Sequence, residues 1–210
     1  MPLGSFVRGL FGRHEVAISE LYRNLFFDAD EFVHTVKRWV PTATNILEVG
    51  CGEGAITQRL AKAYSNSSIV GIDITSRLGR LYVGRTDSVR FLETTVQDLA
   101  AMHPGHFDLI VLADVLHHVP DAIRQQLLDS IRLLMAPGGN FIFKEWERTR
   151  TPIYWLCYLS DRWLTGDRIR YMRRDELRQR ISISFGRHAA VSEERIRPWQ
   201  NNLATLVRHG

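Results

Sequence analysis

Apolar residues in this chain are spaced alternately at helical intervals and in short, nearly continuous runs. Val16, Leu21, Leu25, Phe32, Val36 and Trp39 mark one face between Val16 and Val40, and Pro41 stops the pattern, which predicts one or two helices there. Thr44 to Val49 predicts a first strand, Ala55 to Tyr64 a helix and Ser68 to Asp73 a second strand. Thr75 to Gly84 then reads as a helix and Val89 to Glu93 as a third strand. Phe107 to Ala113 is apolar almost throughout after Asp108, as a strand covered by helices on both sheet faces must be. Asp121 to Met135 predicts a helix with Asp121 at its N-cap and Gly138 or Gly139 at its end, followed by a fifth strand from Asn140 to Lys144. Strands and helices in this alternation imply an α/β fold with a parallel, doubly wound sheet and right-handed crossovers. The tail breaks the rhythm: Ile153 to Leu164 is aromatic-rich, Arg174 to Ile181 is helical, and His188 to Glu193 with Asn202 to Arg208 predict a terminal pair of strands around Pro198.

The junction of the first strand and its helix carries the chemistry. Leu47-Glu48-Val49-Gly50-Cys51-Gly52-Glu53-Gly54 is a strand, a glycine turn and a helix start. Glycines at 50, 52 and 54 allow left-handed or crowded backbone and let a ligand approach without side chains in the way. Asp73 ends the second strand about 20 residues further on, where a carboxylate can grip ribose hydroxyls. A nucleoside-bearing cofactor fits both signals. Cys51, inside the turn, reads as a small packing residue, because nothing near it in sequence would activate its thiolate. Nicotinamide enzymes share the glycine spacing. A short-chain dehydrogenase also needs a Tyr four residues before a catalytic Lys, and Lys37, Lys62 and Lys144 are preceded there by Val33, Gln58 and Asn140.

Three stretches together separate the remaining cofactor classes: Glu48 before the glycines, Phe107 through Ala113-Asp114-Val115-Leu116-His117-His118, and Leu133-Leu134-Met135-Ala136-Pro137-Gly138-Gly139-Asn140-Phe141-Ile142-Phe143. In order and spacing, over residues 42 to 145, this set resembles the class I S-adenosylmethionine-dependent methyltransferases, particularly the small-molecule branch that includes the ubiquinone and menaquinone biosynthesis enzymes. The resemblance implies a Rossmann-like, mostly parallel seven-stranded sheet with an antiparallel last strand beside the fifth. It also implies S-adenosylmethionine as cofactor and S-adenosylhomocysteine as product. It divides a single domain, 1–210, into an N-terminal helical lid over 1–41, a cofactor-binding core over 42–145, a substrate-cover insertion and helix over 146–182, and terminal strands over 183–210.

By the same resemblance, Glu48 and the Gly50-Cys51-Gly52 backbone meet the methionine end of the cofactor, and Asp73 accepts both ribose hydroxyls. Ile74 packs on the adenine and Ala113 offers main-chain contacts near the methionine. The adenine contact departs from the family pattern: Thr95 and Val96 stand where an Asp and a small residue are common, and Asp98 either replaces that Asp or caps a short helix. A base is needed where the acceptor loses a proton. His117 and His118, just after strand four, are the first candidates for that role or for holding a loop. Glu145, ending strand five, is a second base or a hydroxyl acceptor, unless it pairs with Arg148 at the surface. Aromatic residues from Trp146 to Tyr171, including Tyr154, Trp155, Tyr158 and Trp163, suit a planar or greasy acceptor. Asp161-Arg162 and Thr165-Gly166-Asp167-Arg168 either orient polar substrate groups or form a turn and helix start. Phe6, Leu10, Phe11, Ile18, Leu21 and Tyr22 form a lid, pack on the sheet or lie at a membrane surface.

Composition narrows partners more than fold. Two cysteines at 51 and 157 make no disulfide framework, and no Cys/His cluster has zinc spacing, so no metal is expected and a reducing, cytoplasmic setting is. No apolar run approaches the ~20 residues of a membrane span and the N-terminus has no signal-peptide core. The net charge of +4 is uneven: from Trp146 onward 13 Arg face 7 acidic residues. Such a tail is either a solvated surface or an attractor for anionic substrate, lipid or nucleic acid. Without RNA-module signatures or interleaved aromatics, an RNA or protein acceptor ranks behind a small-molecule one. A noncatalytic cofactor-binding subunit is the reading from a different class.

Overall fold

Described by the computed structural model are residues 26–164 and 169–208, with side chains except those of 160–164. The lid residues between Phe6 and Tyr22, the side chains of Asp161, Arg162 and Trp163, and all of Thr165–Arg168 lie outside the described residues. The elements run α1 (Ala29–Trp39), β1 (Asn45–Val49), α2 (Ala55–Ala63), β2 (Ser68–Asp73), β3 (Val89–Glu93), α3 (Val96–Met102), β4 (Phe107–Ala113), α4 (Asp121–Leu134), β5 (Met135–Trp146), α5 (Pro152–Leu164), α6 (Arg174–Phe185), β6 (Ala190–Arg195) and β7 (Asn202–Arg208). Strand order across the seven-stranded sheet is β3-β2-β1-β4-β5-β7-β6. β1 to β5 pair in parallel, while β7 inserts antiparallel between β5 and β6.

Period-two burial splits the core into two layers. In β4, Ile110 and Leu112 face one cluster with Leu128, Ile131, Leu177 and Ile181 of α4 and α6. Leu109 and Val111 face the other, with Phe32, Val36 and Leu60 of α1 and α2. Each fully buried Leu, Ile or Phe contributes about 1.5–3 kcal/mol, so the central strands are rigidly placed and their C-terminal ends make a firm base for a site. Helix α1 starts where the Asp28 side chain accepts the Glu31 N–H at 2.9 Å, and it ends before Pro41. Among the described residues no helix is long and apolar enough to cross a membrane.

Several boundaries differ from the sequence expectation. Residues 75–84 form turns rather than a helix: the Gly79 N–H donates to Gly52 O at 3.0 Å and the Leu81 N–H to Glu53 O at 2.8 Å. Gly79 sits at φ +60° against the Phe91 ring, so the segment's hydrogen bonds brace the glycine turn instead of closing on themselves. Pro120, not Asp121, caps α4, and the chain is already extended from Met135, with Gly138 at φ +71° inside the strand instead of ending the helix. α6 extends to Phe185, and β6 is shifted to Ala190–Arg195.

Candidate active site

Every element of the glycine turn opens toward the C-terminal end of the sheet. Gly50, Gly52 and Gly54 adopt φ of +75°, +50° and +90°, values that cost side-chain-bearing residues roughly 1–2 kcal/mol each. A Cβ on Gly50 would stand 2.2 Å from Val115 Cγ2, so β1 and the loop after β4 approach as closely as backbone allows. The Gly50 and Cys51 N–H groups donate to Ile72 O at 2.8 and 3.0 Å. Asp73 bends over the turn: its Oδ2 accepts the Gly52 N–H at 2.9 Å and its Oδ1 the Thr75 N–H at 3.1 Å. Each oxygen keeps a second lone pair for a hydroxyl donor. Beside it, Ile74 holds an apolar side chain 78% exposed, an open face of the kind a nucleobase covers. A side-chain-free cradle next to a two-acceptor carboxylate fits an adenosine cofactor.

The other cofactor candidates divide. Glu48 is buried in β1, where its Oε2 accepts from Thr57 Oγ1 of α2 at 2.5 Å. Burial, with Asp73 nearby, pushes its carboxyl up to about 8 against the lowering hydrogen bond. Cys51 is buried and its thiol is pushed up by burial and by the Glu48 and Asp73 charges, which fits packing rather than nucleophilic chemistry. Thr95 caps α3, its Oγ1 accepting the Asp98 N–H at 3.1 Å and donating to Asp98 Oδ2 at 2.6 Å. Asp98 is thus engaged as a cap partner, and Val96 is buried in the core. Ala113 ends β4, between β1 and β5, at the rim of the same crevice.

Past Ala113 the chain builds a polar cluster. Glu145, buried in β5, accepts the Leu116 N–H on Oε1 at 2.7 Å, and its Oε2 lies 2.7 Å from His117 Nδ1. In the tautomer whose Nδ1 donates to this carboxylate, Nε2 is the unprotonated ring nitrogen. The alternative, a surface pairing of Glu145 with Arg148, is not seen among the described residues; the carboxylate is buried. His117 is buried and its ring lies 4.2 Å from that of His118, which is exposed, and 4.7 Å from that of Tyr171. Tyr171, Tyr154, Trp146, Phe26, Cys157 and Ile169 form an aromatic-rich cluster above the strand ends.

Two members escaped the sequence reading. Asp114, at φ +56°, ion-pairs with Lys144, whose buried ammonium also lies 4.1 Å over the Phe27 ring. Asp114 Oδ1 is buried without a hydrogen-bond partner. A lysine closing an apolar strand run and an aspartate beside a His-His pair were the available signals. Asp114, His117 and Glu145 each offer a ligand-type atom within 4.8 Å of one another, the geometry of a candidate cation site. Lys144 already bonds Asp114 and His117 already bonds Glu145, so the cluster is balanced by its own cations and donors. Several arginines of the basic tail are paired within the chain: Arg174 and Arg178 hold Glu193, Arg195 holds Glu147, and Arg197 holds Glu31.

Comparison with known proteins agrees with this geometry. A family model described as a methyltransferase domain matches residues 47–141. The chain is 31% identical over 109 residues to a ubiquinone biosynthesis O-methyltransferase of Albidiferax ferrireducens, covering 50% of this chain and 42% of that protein. It is 31% identical over 120 residues to the same-named protein of Thiobacillus denitrificans, covering 53% and 50%. It therefore spans about half the length of these relatives. Among solved structures, a Burkholderia thailandensis 1,6-didemethyltoxoflavin-N1-methyltransferase with bound S-adenosylhomocysteine superposes with a TM-score of 0.69 at 16% identity, over 98% of this chain and 88% of that one. The N-methyltransferase NodS of Bradyrhizobium japonicum gives 0.59 at 21% identity, over 86% and 96%. The sequence match lies over the glycine turn and the fold match extends beyond it: residues 47–141 are similar to a methyltransferase domain, about half of the chain is similar to ubiquinone biosynthesis O-methyltransferases, and the fold is shared with solved methyltransferase structures.

Proposed function

We propose that this chain transfers a methyl group from S-adenosylmethionine to the hydroxyl oxygen of a small planar metabolite, aromatic or partly lipidic, in a cytoplasmic setting. The hydrogen bond between His117 and Glu145 at the rim of the cofactor crevice carries the proposal. A hydroxyl is a poor nucleophile until it loses its proton, and Nε2 of an imidazole oriented by a buried carboxylate is suited to take it. When bound, the cofactor supplies the electrophilic methyl group on its sulfonium. With the cofactor bound, methyl transfer to the acceptor oxygen would release S-adenosylhomocysteine, and His117, held by Glu145, would take the proton that the acceptor hydroxyl gives up.

Each residue has a limited task. Asp73 grips the ribose, the Gly50–Gly52 backbone lets the methionine part approach, and Ile74 covers the adenine; Glu48 supports the turn from beneath. Glu145 orients His117, while Tyr171 and Tyr154 flank the acceptor. Positioning of this kind lowers such a barrier by about 7–11 kcal/mol. Pairing of several tail arginines within the chain favours a small acceptor over RNA. A nitrogen acceptor is the second reading, favoured by N-methyltransferases among the structural neighbours. Incubation with methyl-labelled cofactor and matched panels of phenols, catechols and amines, read by mass spectrometry, tests both. Labelled methoxy products support the proposal, labelled methylamines alone move it to the second reading, and cofactor binding without any product in extracts of metabolites points to the noncatalytic subunit.

A further inference from the structure

Helix α4 buries a guanidinium that the chemistry above does not use. Arg124 continues the stripe of Leu127, Leu128 and Ile131, where an apolar side chain would be buried without desolvating a charge, yet it is only 1% exposed. Its Nε donates to Val119 O at 2.8 Å. Its Nη2 donates to His117 O at 3.3 Å and to Arg170 O at 3.1 Å, while Nη1 faces Asp121 Oδ1 at 3.4 Å. The Arg170 N–H donates to the same His117 carbonyl at 3.1 Å. Asp121 also takes Arg170 Nη1 at 3.0 Å and Arg180 Nη2 at 2.7 Å. The loop after β4 and the segment that carries Tyr171 are therefore fastened together at one carbonyl, that of His117. Burial lowers the pKa of Arg124, opposed by Asp121 and by Glu145, so the guanidinium is also within electrostatic reach of the carboxylate that holds His117.

We infer that Arg124 is a positioning residue for the His117–Glu145 pair: it clamps the His117 peptide to the Tyr171 segment and so fixes the imidazole between the Glu145 carboxylate and the Tyr171 ring. This rests on the reading of His117 as the base. A planar fork bonding several carbonyls at once is what the task requires, and a lysine ammonium on its flexible stem does not reproduce it.

The test uses the full chain with Arg124→Lys and Arg124→Met. Both are expected to bind S-adenosylhomocysteine within about twofold of the parent, because none of the crevice contacts involves α4. Turnover of an acceptor found in the panels is expected to fall at least about tenfold in kcat with KM for the cofactor unchanged, as for loss of near-attack geometry. Nitrogen chemical shifts of the His117 imidazole should move from one tautomer toward a mixture, and amide exchange at Arg170 should accelerate at least about tenfold. Arg124→Lys with parental kcat, tautomer and exchange would overturn the clamp. So would loss of cofactor affinity in step with turnover in both variants, since that marks general destabilisation. If the parent methylates nothing, the proposed function fails, while the tautomer and exchange readings still decide the clamp.

Discussion

His117 Nδ1 lies 2.7 Å from Glu145 Oε2, and both side chains are almost entirely shielded from water. Removing either partner therefore does different damage. His117→Ala deletes the proposed proton acceptor and is expected to lower kcat by about 10²–10⁴-fold, the range of general base catalysis. Glu145→Gln keeps the size and one hydrogen bond but frees the imidazole tautomer, so a smaller loss is expected. His118→Ala, at an exposed position, should retain most activity. Steady-state turnover of the three variants, with S-adenosylhomocysteine affinity as control, checks the order; equal rates in His117→Ala and the parent would remove the base.

Glu48 makes the stability of the fold depend on pH. Its carboxyl, pushed up to about 8 by burial, keeps a proton that the unfolded chain loses near 4.5. Between those values the unfolded state binds fewer protons than the folded one, so stability falls as pH rises and levels off above about 8. Glu48→Gln has no such proton. Its stability relative to the parent should rise between about pH 5 and about pH 8 by a few kcal/mol, at about 1.4 kcal/mol per pKa unit. Urea unfolding at both pH values reads the difference, and a constant offset would mean that Glu48 is ionised in the fold.

Gly50 and Val115 form a contact that tolerates no added carbon. Gly50→Ala places Cβ 2.2 Å from Val115 Cγ2 at a φ of +75°, and should destabilise by about 2–4 kcal/mol from overpacking and left-handed strain combined. Val115→Ala removes the nearest atom, so the double variant should recover at least about 1 kcal/mol relative to additivity. Additive single and double variants in denaturant titrations would show that the turn moves away from the loop.

Much of this architecture is legible in residue patterns because it depends on local period and on glycine. The central strands and the turn at Gly50–Gly54 stand where apolar runs and glycine spacing put them. The segment 75–84 misleads because its amides bond to Gly52 and Glu53, a tertiary choice that no helical spacing of side chains reports. The site was legible as residues but not as a network. His117 and Glu145 were separate candidate bases in sequence, 28 positions apart, and parallel pairing of β4 with β5 joins them into one unit. Arg124 and Lys144 have no assigned role in the sequence because nothing in their neighbourhood there predicts a carbonyl cage or a buried ion pair.

The central claim is that the glycine cradle and Asp73 hold an adenosyl cofactor. Isothermal titration of S-adenosylhomocysteine into the parent chain, Asp73→Ala and His117→Ala measures it directly. One site per chain is expected in the parent. Affinity should fall at least about tenfold in Asp73→Ala, the loss of hydrogen bonds to a charged acceptor at about 1.5–3 kcal/mol each, and stay nearly unchanged in His117→Ala. Absence of binding to the parent, or equal affinity in Asp73→Ala, would contradict the account.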